Sequence, residues 1–334
     1  MNKPVCNKTA AAGGRCGAIA GALSMISVLL FVLISGPVAA ADGQGGNGGI
    51  TVTQEITVNA TTIPEGEAIY LHRFTIPFLR GDNPLTAGNN VVINLRGAAS
   101  PVHIGAAAEA VLTPAAFFQL AAGSRAESGW SINLFGGDIN GIGLTRIGDD
   151  NSSMVTDGSA LDGLILKSWA GAAVQFNFAA IFPGDWNHVV MRSYHEINYA
   201  HYTRAAKHES WWQPDFDHGE DRNGPSYYGN LLIGYQMPAR FKMAGLIAEG
   251  RLFLHDTPGR EMWGDDRMRW IFAALTQFAL HEKIDLAVLA QLRTMRNFRE
   301  NDWKDRHFML RTLDDDKPLR LEFYRAVAVL TYKI

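Results

Sequence analysis

From residue 67 to the C-terminus the chain repeats one pattern: apolar side chains at every second position, with charged or amide side chains between them. Tyr324, Ala326, Ala328, Leu330, Tyr332 and Ile334 alternate with positions that include Arg325, Thr331 and Lys333. Ile284, Leu286, Val288, Ala290 and Leu292 oppose Asp285, Gln291 and Arg293, and Leu246, Ala248, Leu252 and Leu254 oppose Glu249 and Arg251. A period of two predicts β-strands with one apolar face, and about 9–11 residues is what a tilted strand needs to cross a bilayer. Tyr227 and Tyr235 stand near the two ends of one such run, where headgroup layers would lie.

A water-soluble sandwich also alternates, so the connections decide. Thr113-Pro114, Pro183-Gly184-Asp185, Pro238-Ala239 and His281-Glu282-Lys283 are tight, whereas the polar stretches at 131–158, 205–224, 255–266 and 299–318 are long, and the two kinds alternate. A sandwich gives no reason for that, while a transmembrane barrel does, with short periplasmic turns and long extracellular loops. In these features the chain resembles bacterial outer-membrane β-barrels. They end in a strand of alternating apolar and aromatic residues, as Tyr332-Lys333-Ile334 does here, with isoleucine where phenylalanine usually stands last. The resemblance implies an all-β fold, a transmembrane antiparallel up-and-down barrel in the cell outer membrane. It implies as partners the outer-membrane assembly machinery, membrane lipids and lipopolysaccharide.

Counting back from Ile334 places strands near 319–334, 283–298, 267–280, 240–254, 225–237, 187–204, 160–182, 115–130, 89–112 and 67–79, about ten. The segment 89–112 switches its apolar face across Gly97 to Pro101, which a β-bulge explains. If it is instead two strands, the alternating run ITVTQEITVNA at 50–60 becomes a further partner and the count is twelve. A barrel of ten has little free lumen. The inward positions include Arg125, Glu127, Arg192, Glu196, Glu249, Arg251, Arg293 and Arg325, of both signs, so the expectation is an interlocked polar core that plugs the lumen. One strand resists: its lipid-facing side would carry Ser193 and His195, for which a local bulge or an interfacial position is the expected account.

The N-terminus changes the compartment. Lys3, Lys8 and Arg15 precede an uncharged apolar run from Gly17 to Ile34, followed by Gly36-Pro37 and Val38-Ala39-Ala40-Ala41. That order predicts a cleaved signal peptide over 1–40, leaving a Gly-rich periplasmic arm at 41–66 and the barrel at 67–334. Cleavage would remove both cysteines, Cys6 and Cys16, so no disulfide framework is expected. It would also remove three basic residues and no acidic ones, taking the net charge from −3 to −6, which argues against nucleic acid as a partner.

The stretch HESWWQPDFDHGEDRNG, His208 to Gly224, is the densest in chemistry-bearing side chains. Its bland reading is a solvated extracellular loop, with Trp211 and Trp212 in an outer aromatic belt. A sharper reading is hydrolysis: His208-x-Ser210 pairs a base with a nucleophile, and Glu220 or Asp217 would orient the imidazole. It is similar to outer-membrane acyl hydrolases, whose His-x-Ser pair acts on lipid esters, although here Trp211 follows where asparagine is usual. A third reading is calcium on Asp215, Asp217, Glu220 and Asp221, with the same ambiguity at Asp149, Asp150 and Asp157; no other cofactor is expected. Zinc through His208 and His218 ranks lower. The sequence therefore favours a non-enzymatic barrel with a structural or surface-interaction role. An outer-leaflet lipid acyl hydrolase is the alternative, and a small-solute channel the second alternative.

Overall fold

In a computed structural model the described residues are 49–334 except 63–65, 135–136, 140, 158–159, 214–219 and 300–305. The expected signal peptide therefore lies outside them. The strands are β1 (Thr51–Thr61), β2 (Gly66–Pro77), β3 (Asn90–Ala99), β4 (His103–Ala115), β5 (Phe118–Gly129), β6 (Ile132–Leu134), β7 (Gly137–Ile139), β8 (Gly143–Ile147), β9 (Met154–Asp157), β10 (Ile165–Asn177), β11 (His188–Tyr202), β12 (Ser210–Trp212), β13 (Glu220–Arg222), β14 (Gly224–Gln236), β15 (Phe241–Phe253), β16 (Arg269–His281), β17 (Ile284–Arg296) and β18 (Leu319–Lys333). Twelve of them close an antiparallel barrel in the order β1-β18-β17-β16-β15-β14-β11-β10-β5-β4-β3-β2. Closure comes from β1 on β18, with Glu55 opposite Lys333 and Thr61 opposite Val327.

The count is thus the twelve-strand alternative, not ten. The face switch after Gly97 is a hairpin between β3 and β4, with Ala99 opposite Ile104, and not a bulge. The alternating arm becomes β1, so the barrel begins at Thr51 instead of 67. With an even count both termini lie at one end. At the other end the connections after β5, β11, β15 and β17 are long, but those after β1 and β3 are short. The alternation of short and long connections holds only from β4 onward, since the β2–β3 connection at the terminal end is longer than the β3–β4 turn opposite it.

Outward positions are apolar: Val58, Leu95, Leu120, Val174, Ile197, Ile233, Leu246, Phe272 and Leu330 are all exposed. One expected outward residue turns in. The β17–β18 register shifts between Gln291 and Leu292, which pair with Arg325 and Phe323 and leave Tyr324 as an extra residue. Tyr324 therefore points into the lumen, its ring 4.2 Å from the Arg293 guanidinium and 4.6 Å from that of Arg325, while Phe323 and Leu321 face out.

The lumen divides into two sectors. Along β1–β5 and β10 it is polar, with Arg96 3.4 Å from Glu109, Arg125 3.4 Å from Glu127 and His103 3.2 Å from Glu67. Along β11 and β14–β18 it holds a packed apolar cluster that includes Leu232, Ile247, Leu275, Leu289, Val327 and Val329. The expected interlocked polar core is therefore found only in part, since this sector is apolar. Strands such as β17 are apolar on both faces near their middles, with Leu289 inward and Val288 outward, and alternation credits only one face.

Candidate functional site

At the loop end the described loop residues build a small folded cap. Residues of the β5–β10 and β11–β14 connections form a four-stranded sheet in the order β13-β12-β8-β9. Trp211 opposes Leu144 in this sheet and sits with Ile142, Ile165, Ala200, Tyr202 and Ala205 in an apolar cluster. Ser210, Trp211, Trp212 and Gln213 are buried, as are Glu220, Asp221 and Arg222. The expected solvated loop and outer aromatic belt are therefore wrong for these residues. Trp211 packs against Tyr202 at 5.7 Å and Trp212 stacks on Phe308 at 6.3 Å, inside the cap. Trp211 and Trp212 point to opposite faces of β12, one packed on Tyr202 and the other on Phe308 of the β17–β18 loop, so both faces are covered, which adjacent tryptophans in a polar stretch could have signalled.

Beneath that sheet β13 meets the barrel wall through ion pairs. Arg222 Nη1 lies 2.8 Å from Asp265 Oδ2 and Arg296 Nη1 lies 2.8 Å from Asp265 Oδ1; Arg296 also donates to Glu220 Oε2, and Arg222 is ion-paired with Glu220 Oε1. Arg251 Nη2 donates to Asp221 Oδ2 at 2.7 Å, and His255 Nε2 is 3.0 Å from Asp265 Oδ2. All of these side chains are at most 3% exposed. Burial alone would raise the Asp265 carboxyl, but Arg222, the His255 hydrogen bond, Arg296 and Arg269 outweigh it and hold it well below the usual carboxylate range. The arginines stack on rings as well, Arg222 over Trp263 at 4.9 Å and Arg269 over Phe253 at 4.2 Å. Such a network is costly to break at one member, because a buried partner charge is left behind.

The sequence-predicted residues separate into those the fold brings together and those it does not. Of the lumen set, Arg251 joins the cap network, Arg325 Nε donates to Gln291 Oε1 at 2.8 Å, and Arg293 donates to Glu322 at 3.0 Å. Glu196 accepts from Tyr194 at 2.9 Å and from Asn198 at 3.0 Å, and Glu249 accepts from Tyr228 at 3.3 Å. Arg192 lies over the Tyr194 ring at 5.2 Å. Asp221 was singled out only as a calcium ligand, and Asp265, Arg222 and Arg296 were missed, because the pairing joins two loops to the end of β17 and no local spacing links them.

The residues of the expected triad, His208, Ser210 and Glu220, engage other groups. His208, at a positive φ of 71°, bonds through Nδ1 to Thr257 Oγ1 at 3.1 Å. Glu220 is occupied by Arg222 and Arg296. Ser210 Oγ is 2.6 Å from Thr145 Oγ1 and 3.5 Å from His307 Nε2. Thr145 gives its proton to the Ser210 carbonyl, and His307 Nδ1 accepts from the Met309 amide, so the neutral imidazole carries its proton on Nε2. That proton points at Ser210, the opposite of what a general base requires. Burial lowers the His307 pKa and keeps the ring neutral.

Of the calcium set, Glu220 and Asp221 are committed to arginines, and Asp215 and Asp217 lie outside the described residues. Among the described residues no three potential metal ligands converge. Asp150 instead closes its own turn, accepting from the Ser152 and Ser153 amides and the Ser153 hydroxyl, which lowers its pKa to about 2. In the polar sector a cavity of about 60 Å³ lined by Glu67, Arg96, Arg125, Glu127 and Trp169 has room for water molecules, not for a solute.

A closed antiparallel barrel with an outward apolar band and its charges turned inward defines a transmembrane β-barrel of the outer-membrane class. No family model matches the chain, and no curated protein matches it. Among solved structures it is similar to a KdgM porin, with 8% identity, a TM-score of 0.36, and coverage of 85% of this chain and 99% of that one. It is also similar to CdiB from Acinetobacter baumannii, with 7% identity, a TM-score of 0.35, and coverage of 85% of this chain and 60% of that one.

Proposed function

We propose that the chain is an exported outer-membrane barrel, released from a cleaved signal peptide, whose long loops face the cell exterior. Its lumen is sealed, and its role is structural or surface-interactive through the built cap rather than conductive. The observation that carries this reading is the buried Glu220–Arg222–Asp265–Arg296 network across the mouth, supported by the apolar cluster that fills one sector below it. A freely conducting lumen would hydrate these arginines instead of burying them against carboxylates and rings. The cap offers outside partners a surface anchored to the barrel wall by ion pairs, and lipids and lipopolysaccharide are the surroundings this orientation gives it. The test is single-channel recording of the folded protein in a planar bilayer. The expected record is flat, and a steady open-state current would favour the solute-channel reading.

A further inference from the structure

On the outer face of the barrel one hydrogen-bonded trio belongs neither to the cap nor to the lumen. Ser193 Oγ lies 3.0 Å from His195 Nε2, and His195 Nδ1 lies 2.6 Å from Tyr227 Oη on the neighbouring strand. Strand β11 pairs without interruption on both sides, Ser193 with Val174 and Leu231 and His195 with Ala172 and Gly229, so no bulge takes these side chains away from lipid. The absence of a side chain at Gly229 leaves room for Tyr227, whose hydroxyl would sit 2.5 Å from any Cβ built there. Polar side chains at such positions are costly and rare, and they mark function more often than packing.

Beside the trio runs an apolar hollow of about 500 Å³ on the same outer face, lined among others by Leu231, Leu246, Ala248, Phe272, Ala274 and Ala290. It begins one strand from the serine: Leu231 is opposite Ser193, Ala248 opposite Leu231, and Phe272 opposite Ala248. Three small alanines between larger side chains make the floor. Depth follows from the apolar residues at the terminal end, where Ile181, Phe182 and Trp186 are exposed. A strand that starts at that level crosses the apolar band in about 9–11 residues, which ends close to Ile197. Ser193 and His195 then lie in the half of the band nearer the loops, below Tyr199 and Tyr227. This placement in the outer leaflet rests on the orientation proposed above and not on the sealed lumen.

We infer that Ser193, His195 and Tyr227 form a lipid-facing ester-hydrolysing site whose substrates are long-chain acyl esters of membrane lipids, with the acyl chain lying in the neighbouring hollow. With the ring proton on Nδ1 and donated to Tyr227 Oη, the Nε2 lone pair faces the serine. Ser193 Oγ attacks the ester carbonyl carbon and its proton passes to Nε2; the bond from carbon to the lipid alcohol breaks, and the alcohol leaves with that proton. Water then attacks the acyl-serine, giving a proton to Nε2, and Ser193 leaves with it, so one ester and one water yield a fatty acid and an alcohol. Ser193 and His195 are the catalytic pair; Tyr227 is a positioning residue. Another outward histidine, His72, provides the contrast. Its Nδ1 meets Gln54 Nε2 at 3.2 Å and Tyr70 Oη at 3.3 Å, and neither is an aliphatic hydroxyl.

The test uses folded full chain, verified by heat-modifiable gel mobility, in mixed micelles of detergent and palmitoyl-oleoyl phosphatidylethanolamine. Two readouts are taken: fatty-acid release, and covalent labelling by hexadecanesulfonyl fluoride located by peptide mass. Wild type is expected to release fatty acid and take its label on Ser193, and Ser193→Ala to lose both. His195→Asn should lower release by about 100-fold or more. Tyr227→Phe should lower kcat with KM unchanged, a split that a purely structural role would not give. Ala248→Phe, which fills the hollow, should depress release from long-chain esters and spare a butyrate ester. Folded wild type that neither labels at Ser193 nor exceeds Ser193→Ala in fatty-acid release overturns the assignment and leaves the trio as mutually satisfied polar groups. Such a result leaves the sealed barrel standing, since conductance is measured separately.

Discussion

The two sectors of the barrel solve the same problem differently. Along β1–β5 and β10 the lumen carries charges and amides in pairs, as where Asn94 Nδ2 donates to Glu109 at 3.0 Å beside Arg96. On that side the loop-end turns after β1 and β3 are short. Along β11 and β14–β18 the lumen holds a packed apolar cluster, and the loops above are long enough to fold back on the barrel as a small sheet. A polar filling needs each member satisfied by its neighbours in the same wall, while an apolar filling needs only volume. At the top of the apolar sector Arg251 and Arg296 pair with carboxylates that the loops supply.

The largest effect is expected at that junction. Asp265→Asn leaves Arg222 and Arg296 short of a buried counter-charge and should cost about 3–5 kcal/mol, read as a lowered urea midpoint in micelles with a gain in tryptophan accessibility. Next comes the apolar filling: Leu289→Ala should cost about 2–5 kcal/mol in the same assay. In the polar sector Asn94→Ala removes a neutral amide's hydrogen bonds to Glu109 and from Arg73 but leaves the Arg96–Glu109 pair, and should cost only about 1–2 kcal/mol. If Leu289→Ala and Asn94→Ala prove equally costly, the contrast between the sectors is wrong.

Two pH effects are smaller and act on the cap. Burial lowers the folded-state pKa of His307, so the unfolded state binds the proton first. The cap should therefore weaken as pH falls through the ordinary imidazole range near 6.5, and His307→Gln should flatten that dependence in amide hydrogen exchange. Asp150, with its pKa lowered to about 2, stabilises its turn fully above the unfolded carboxylate value near 3.9 and loses that effect as pH falls toward about 2. Proteolytic nicking of residues 148–153 should rise over that interval, and in Asp150→Ala it should be high at every pH.

Much of the barrel was legible because outward residues follow a period of two over runs such as Ile284 to Leu292, and a period survives without knowledge of neighbours. Tyr324 was misplaced because a bulge shifts the face without altering composition. The two faces of β17 were conflated because alternation cannot be seen where both sides are apolar. The candidate site was legible in part. The run from His208 to Gly224 does hold the cap's buried carboxylates, yet its partners Asp265, Arg296 and His307 lie far along the chain and no local spacing links them. Ser193 and His195 stood out as a conflict in the pattern, and the bulge invoked to remove it does not exist.

The central claim, a lumen closed by packing, is tested most directly at Val329, which is 2% exposed within the apolar cluster. Val329→Cys, in a background where Cys6 and Cys16 are replaced, is nearly isosteric and can be challenged with a small membrane-impermeant thiol reagent in proteoliposomes. The thiol should stay unmodified in the folded barrel and react promptly after urea and heat. Rapid modification of the folded protein would mean that water and solutes pass through the barrel, and the account would be wrong.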